Sequence, residues 1–191
     1  MNLYDNENTL KPNVQNQILK KLTQGKIIIY PTDTVMGIGC DATNQAAIEK
    51  IKQIKKRAKT TMLVIAPSID WIKNNTEFKS THLDDFELPG PYSFLVTLKD
   101  TSLISAKILG PNNSLGVRLP KCNMLNICKL YGKPIITTSV NISGKAPAIS
   151  INDIDKEILK KTDVLIREST NLSGKSSELY DIRENNKIQL R

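Results

Sequence analysis

Residues 26–41 read KIIIYPTDTVMGIGCD, and the assignment of this stretch decides how the rest of the chain is arranged. Ile27, Ile28 and Ile29 form an uninterrupted β-branched run ended by Pro31, which predicts a strand buried on both faces and set inside a sheet. Behind it stand two hydroxyls one residue apart, Thr32 and Thr34, then Gly37 and Gly39, in a segment that turns apolar again at Val35, Met36 and Ile38. Positions i and i+2 of an extended chain project to the same side, so the two threonines can face one cavity at a sheet edge. Glycines there permit close approach of a ligand or of another backbone. The same pattern also fits a tight strand-turn-strand in which the threonines only satisfy turn backbone.

Before this stretch, Val14, Ile18, Leu19 and Leu22 recur at helical spacing, and Gly25 follows as a C-terminal cap. After it, Thr43 or Asn44 can cap a helix whose Ala47, Ile48, Ile51 and Ile54 form one apolar stripe, with Lys50, Lys52, Gln53 and Lys56 facing outward. Residues 62–66, MLVIA, then read as a second buried strand, so the first half is βαβ-like. The segment from Pro67 to Glu87 carries Trp71, Phe78 and the single histidine, His82, in polar surroundings, with no partner motif that suggests chemistry.

Turn signals at Pro89-Gly90-Pro91 and Gly110-Pro111-Asn112-Asn113 precede strands at residues 92–98 and 115–119. Arg118 sits inside the second of these, and a buried cation requires either a structural carboxylate or an anionic ligand. A short amphipathic helix over residues 124–131 is closed by Gly132, and Pro134 opens a strand at residues 135–138 that runs into SVNISGKAP. Ser150 can cap a helix carrying Ile154, Ile158 and Leu159, followed by a strand at residues 164–166 and a Ser- and Gly-rich loop over 168–177. Residues 179–182 and 188–190 read as a closing hairpin around Asn185-Asn186. Neither a repeat nor a linker interrupts the chain, so residues 1–191 read as one domain.

A chain of 191 residues buries enough surface to need no staple. Three cysteines without a CxxC spacing suggest neither a disulfide framework nor a zinc site, and fit a reducing compartment. With no apolar segment near the ~20 residues of a membrane span, a cytoplasmic protein is expected, without a membrane partner. The net charge of +8 suggests a polyanionic partner, nucleotide phosphate or nucleic acid, although scattered lysines also make an ordinary solvated face.

Three pairs separated by one residue recur at strand or helix ends: Thr32 with Thr34, Lys55 with Arg57, and Ser139 with Asn141. Within a helix, positions i and i+2 point roughly 200° apart, so Lys55 and Arg57 can converge on one anion only if the helix ends near Lys55. With Lys59 nearby they would then suit a triphosphate, Arg as a planar fork and Lys as a mobile point charge. Hydroxyl and amide groups at Thr32, Thr34, Ser139 and Asn141 would orient a small polar substrate. The chain contains no GxxxxGK[ST] loop, no GxGxxG, no nucleophile elbow, no HExxH and no Cys/His pair. Chemistry here would rest on positioning and electrostatics, as in phosphoryl and nucleotidyl transfer.

Taken in order, YPTDTVMGIGCDA, the KKR at residues 55–57, LPGPYSFLV at 88–96, LGVRLP at 115–120 and TTSVNISGKAP at 137–147 resemble the landmarks of YrdC-like threonylcarbamoyl-AMP synthases. The resemblance spans about Gly25 to Arg191. It implies an α/β fold, a single-domain twisted mixed β-sheet flanked by helices, around a concave, positively charged cavity. It also implies condensation of L-threonine, bicarbonate or CO2, and ATP with Mg²⁺ to threonylcarbamoyl-AMP and pyrophosphate, for threonylcarbamoyladenosine modification of tRNA. By that likeness Lys55, Arg57, Lys59, Asn141 and Ser177 would bind ATP, and Thr32, Thr34, Arg118 and Ser139 would bind L-threonine, with no resident protein-held metal and no assigned general base. Proteins that transfer the threonylcarbamoyl group onward would be the downstream partners. The chain departs from the common KxRPxxKPL pattern at Ala58, Thr61 and Met62, which removes one expected cation for which Lys56 or Lys59 could substitute. Met36 stands where an aromatic is frequent, and Ala66 near where some relatives place a histidine.

The reading from another class is a non-catalytic module that binds double-stranded RNA or tRNA through the basic concavity. Against it, RNA recognition uses stacking aromatics, and this chain has one Trp, five Tyr and three Phe without an RNP-like cluster. A carbamoyl-transfer role like that of YrdC-like domains in hydrogenase maturation factors is disfavoured by the absence of acylphosphatase and zinc-finger segments.

Overall fold

The computed structural model describes residues 1–56, 62–78, 82–169, 172–184 and 187–191. The central stretch folds as β2 (Ile28–Pro31) and β3 (Met36–Gly39), an antiparallel pair in which Ile29 faces Ile38 and Pro31 faces Met36. All eight residues are buried, as the β-branched run requires of a strand inside a sheet. Pro31 is the last residue of β2. Both glycines of β3 make room for the protein's own atoms, and Gly37 also borders the cavity described below. A Cβ at Gly39 would lie 1.9 Å from the Ile136 carbonyl oxygen, and one at Gly37 would lie 2.9 Å from the Tyr30 ring. Tyr30 thereby folds back over β3 and donates its hydroxyl to Ile136 O at 3.2 Å.

Helix α1 (Pro12–Thr23) buries Val14, Ile18 and Leu22 and ends before Gly25, whose φ of +68° turns the chain into β2. Helix α2 (Gln45–Lys55) is capped by Asn44, which accepts from Ala47 N, and buries Ala47, Ile48, Ile51 and Ile54 as one stripe. Lys52 does not face outward: it is 9% exposed, its stem lies along the protein and its ammonium donates to Lys107 O at 3.0 Å. The helix stops at Lys55 because Lys56 adopts φ +50° in the left-handed region.

The remaining strands are β1 (Asn2–Asp5), β4 (Leu63–Ile65), β5 (Thr76–Glu77), β6 (Tyr92–Leu98), β7 (Ser114–Arg118), β8 (Ile135–Ser139), β9 (Val164–Arg167), β10 (Glu178–Asp181) and β11 (Ile188–Gln189). They join β2 and β3 in one mixed sheet of order β1-β9-β2-β3-β8-β4-β7-β6-β10-β11, with β5 also on β6. Strand β8 lies antiparallel between β3 and β4, so β3, α2 and β4 form a crossover with a later strand inserted. Helices α3 (Ile69–Asn75) and α4 (Asn123–Tyr131) complete the first two thirds. Ser150 opens only a short 3-10 turn, where Asp153 accepts from its backbone amide at 2.8 Å, and Asp155 caps the separate helix α5 (Lys156–Lys160). The hairpin of β10 and β11 is antiparallel, with Tyr180 facing Gln189; Asn185 and Asn186 lie outside the described residues. Among the described residues, no helix is long and apolar enough to cross a membrane.

The two faces of the central strands differ. Leu115 and Val117 of β7, Val64 of β4, and Phe94 and Val96 of β6 enter the hydrophobic core. The alternate residues turn to the opposite face, as the strand period of two dictates, and there the chain places Ser114, Gly116 and Arg118.

Candidate active site

That opposite face is the floor of a cavity of about 690 Å³. The strand registers set Thr137 beside Leu63, Leu63 beside Gly116 and Gly116 beside Leu95, so these four form one cross-strand row, and all four line the cavity. Gly116 is required by that row. A Cβ at this position would stand 2.2 Å from Leu63 Cδ2, so any side chain displaces Leu63. Two residues along β7, Arg118 lies level with Ser93 of β6, which in turn faces Leu179 of β10.

The turn between β2 and β3 forms one wall. Thr32 Oγ1 donates to Val35 O at 2.7 Å and accepts from Thr34 N at 3.1 Å and Val35 N at 3.2 Å. Thr32 therefore does hold the turn backbone. Its hydroxyl also stands 3.0 Å from that of Thr34, and both residues line the cavity. Either hydroxyl can be the donor in this pair, and in both arrangements Thr34 Oγ1 keeps at least one lone pair for the cavity. The threonines meet through this turn and not through the pleat of a strand.

The end of β8 forms the adjoining wall. Ser139 Oγ donates to Asn141 Oδ1 at 2.6 Å, and Asn141 Nδ2 donates to Lys145 O at 2.7 Å. Lys55, 2% exposed at the end of α2, donates its ammonium to Ser139 O, to Asn141 O at 3.1 Å and to Asn141 Oδ1 at 2.9 Å. In this structure Lys55 and Asn141 thus act on the shape of the 139–141 turn, while Ser139 borders the cavity. Arg57 and Lys59 lie outside the described residues.

The late loop closes the far side. Gly174 N donates to Thr34 O at 3.0 Å, tying the loop to the β2–β3 turn. Ser177 pairs through its hydroxyl with Ser93 at 2.8 Å, and both are buried. Arg191 Nε donates to Ser177 O at 3.0 Å, and burial, followed by the nearby Arg118, pushes the Arg191 guanidinium down. Arg183 also lines the cavity, held in a two-bond fork by Asp181 at 2.9 and 2.6 Å. Arg118 pairs with Asp33 Oδ1 at 2.6 Å, and its Nε, out of solvent, has no hydrogen-bond partner among the described residues. The structural carboxylate that a buried arginine requires is therefore present.

The structure thus brings Thr32, Thr34, Arg118, Ser139 and Ser177 to one cavity, with Lys55 and Asn141 behind Ser139. The sequence reading passed over Asp33, Ser114, Gly116, Thr137, Ser176, Arg183 and Arg191. For Ser114, Gly116 and Arg118 a signal existed, since small or polar residues alternate there with Leu115 and Val117. Among the described residues, no three His, Cys, Asp or Glu side chains cluster as metal ligands would.

A mixed α/β sheet here carries on one face a cavity lined by hydroxyls and arginines, chemistry suited to a small anionic ligand. The particular family follows from comparison: the Sua5, YciO and YrdC family model, described as telomere recombination, matches residues 20–191, and the chain belongs to that family. The threonylcarbamoyl-AMP synthase of Vibrio campbellii is 29% identical over 174 residues, 87% of this chain and 93% of that protein. That of Buchnera aphidicola is 32% identical over 154 residues, 77% and 80% of the two chains. The structure of E. coli YciO has a TM-score of 0.83 at 20% identity, covering 100% of this chain and 92% of that one. The structure of P. abyssi Sua5 complexed with L-threonine has a TM-score of 0.83 at 23% identity, over 93% of this chain but 53% of that longer one. At these identities the solved structures speak to the fold, which they share with this chain.

Proposed function

We propose that the chain is a nucleotidyltransferase that condenses L-threonine, bicarbonate or CO2, and ATP into threonylcarbamoyl-AMP, releasing pyrophosphate, for threonylcarbamoyladenosine modification of tRNA. The relatives named above carry that activity in their names. The observation that carries the reading to this chain is the convergence of Thr34, Ser139, Ser177 and Arg118 on one cavity large enough for a small-molecule substrate.

In this reading the threonine amine lies against the Thr34 hydroxyl oxygen, which keeps a lone pair for the cavity, and the threonine carboxylate lies toward Arg118. The amine nitrogen attacks the carbon of CO2 and loses a proton, giving a carbamate. Bicarbonate reaches the same carbamate by losing water. A carbamate oxygen then attacks the α-phosphorus of ATP, the bond from that phosphorus to the bridging oxygen breaks, and pyrophosphate leaves with the electron pair. Mg²⁺ enters as part of the MgATP substrate and offsets charge on the departing pyrophosphate. The protein's share is positioning and charge compensation: Ser139 and Ser177 orient the nucleotide, Lys55 fixes the 139–141 turn, and Arg191 faces the phosphates.

The test is pyrophosphate release by the purified protein with ATP, Mg²⁺ and bicarbonate, with and without L-threonine. Threonine-dependent release supports the reading. A folded protein that binds double-stranded RNA but releases no pyrophosphate above background is instead a binding module.

A further inference from the structure

We infer that Asp33 is a positioning residue whose carboxylate aims the Arg118 guanidinium into the cavity and so sets the affinity for the carboxylate of the amino-acid substrate; this rests on the function proposed above. Asp33 is the middle residue of the Thr32–Thr34 turn, yet its side chain turns away from the hydroxyl pair. One oxygen holds Arg118 Nη2 at 2.6 Å and the other accepts from Lys121 N at 2.9 Å. The carboxylate is therefore fixed at both ends, by the side chain that closes β7 and by the backbone three residues on. The Asp33 and Arg118 side chains are 12% and 6% exposed, so this is a desolvated pair whose geometry water does not average.

The pair stands on a partition. Arg118 lines the cavity of about 690 Å³, whereas Asp33 lines a second cavity of about 470 Å³, and Thr34 and Ser176 border both. Asp33 thus approaches the guanidinium from outside the substrate cavity and occupies one of its amino groups. Arg118 Nε is out of solvent and without a partner among the described residues, so Arg118 meets the cavity through its other atoms. A guanidinium held from behind by one carboxylate, on a residue that lines the cavity, is pre-organised for a second carboxylate in front. Only substrates that carry a carboxylate next to the amine gain from this arrangement.

The test uses Asp33→Asn, which keeps the shape and removes the charge, with two readouts. The first is calorimetric binding of L-threonine and of L-threonine amide, which lacks the carboxylate. Asp33→Asn should raise the Kd for L-threonine about tenfold to a hundredfold, the range of one charge-assisted hydrogen bond, and leave the amide unchanged. In an Arg118→Lys background the same substitution should have no further effect. The second readout needs no substrate: the Arg118 Nε–H resonance, identified by its loss in Arg118→Lys, should be resolved in the wild-type protein and broadened in Asp33→Asn. If that resonance depends on Asp33 while threonine binds to neither protein, the positioning role stands and the proposed substrate falls. An unchanged resonance, or a threonine Kd within twofold of wild type, overturns the inference.

Discussion

Thr32 and Thr34 look equivalent in sequence, but their hydrogen bonds separate them, and paired valine substitutions should separate stability from activity. Thr32 is 5% exposed, and its hydroxyl is the acceptor for both Thr34 N and Val35 N and the donor to Val35 O at 2.7 Å. Valine has nearly the same volume and cannot replace these bonds. Two amides lose their acceptor in a buried turn, so at about 1–3 kcal/mol for each unsatisfied group Thr32→Val should cost about 2–6 kcal/mol. For a chain of this length about 2–4 °C accompanies each kcal/mol, so the melting midpoint should fall by about 4–24 °C. Thr34 loses one hydroxyl contact at 3.0 Å, so Thr34→Val should cost about 1 kcal/mol and shift the midpoint by about 2–4 °C. It removes the open oxygen, however, and threonine-dependent pyrophosphate release should fall at least tenfold. Thermal melts and initial rates on the same preparations check both. A Thr34→Val protein as destabilised as Thr32→Val, with its rate intact, would refute this division of labour.

Four other outcomes follow from packing and burial. Gly116→Ala forces Leu63 off its position and raises the cavity floor, so it should cost about 1–3 kcal/mol in denaturant unfolding and lower the threonine-dependent rate. Gly132→Ala, at φ +72° with no atom near the added Cβ, should cost about 1 kcal/mol from backbone strain and leave the rate unchanged. Burial of Asp163 works against its charged form, but the Ile27 amide, Lys50 and Lys26 outweigh it and hold the carboxyl below its ordinary value. A lowered folded value stabilises the protein above about pH 4 and loses that contribution as pH falls through it, so the melting difference between wild type and Asp163→Asn should shrink below about pH 4. Burial pushes the Cys40 and Cys128 thiols well up, so at pH 8 an alkylating reagent should modify them only as fast as the protein unfolds.

Much of the fold was legible because local chemistry and tertiary environment agree. The turn residues Pro89-Gly90-Pro91 and the apolar run after them define β6 at the same bounds, Tyr92–Leu98, in sequence and structure. Asn44 caps α2 as its side chain suggests. The order of strands was not legible: β10 pairs in parallel with β6, 86 residues earlier at Glu178 and Tyr92, and no local pattern encodes that partnership. Lys52 was misplaced because a helical stripe assigns a face to the Cα, whereas a long stem can lie down and deliver its ammonium to Lys107 O. The split before α5 was recoverable, since Ser150 and Asp155 offer two caps where one helix needs one.

The candidate site divides in the same way. Hydroxyl pairs and a cation inside an apolar strand pointed to Thr32, Thr34, Arg118 and Ser139, because such residues are costly to bury without purpose, whereas Ser177 came only from the family resemblance. Arg183 and Arg191 reach the cavity only because the β10–β11 hairpin docks beside β6, and Asp33 was hidden as the spacer between two threonines. Lys55 was expected at a phosphate; the structure places its ammonium on the carbonyls of Ser139 and Asn141.

The central claim is that this cavity builds a mixed anhydride from threonine, one carbon and the adenylate. The most direct measurement follows carbon-labelled bicarbonate by mass spectrometry during incubation with L-threonine, ATP and Mg²⁺. The account predicts label in a threonine- and adenylate-containing product that forms only when all three substrates are present and vanishes in Arg118→Ala. Label that stays in bicarbonate while the folded protein binds double-stranded RNA would contradict it.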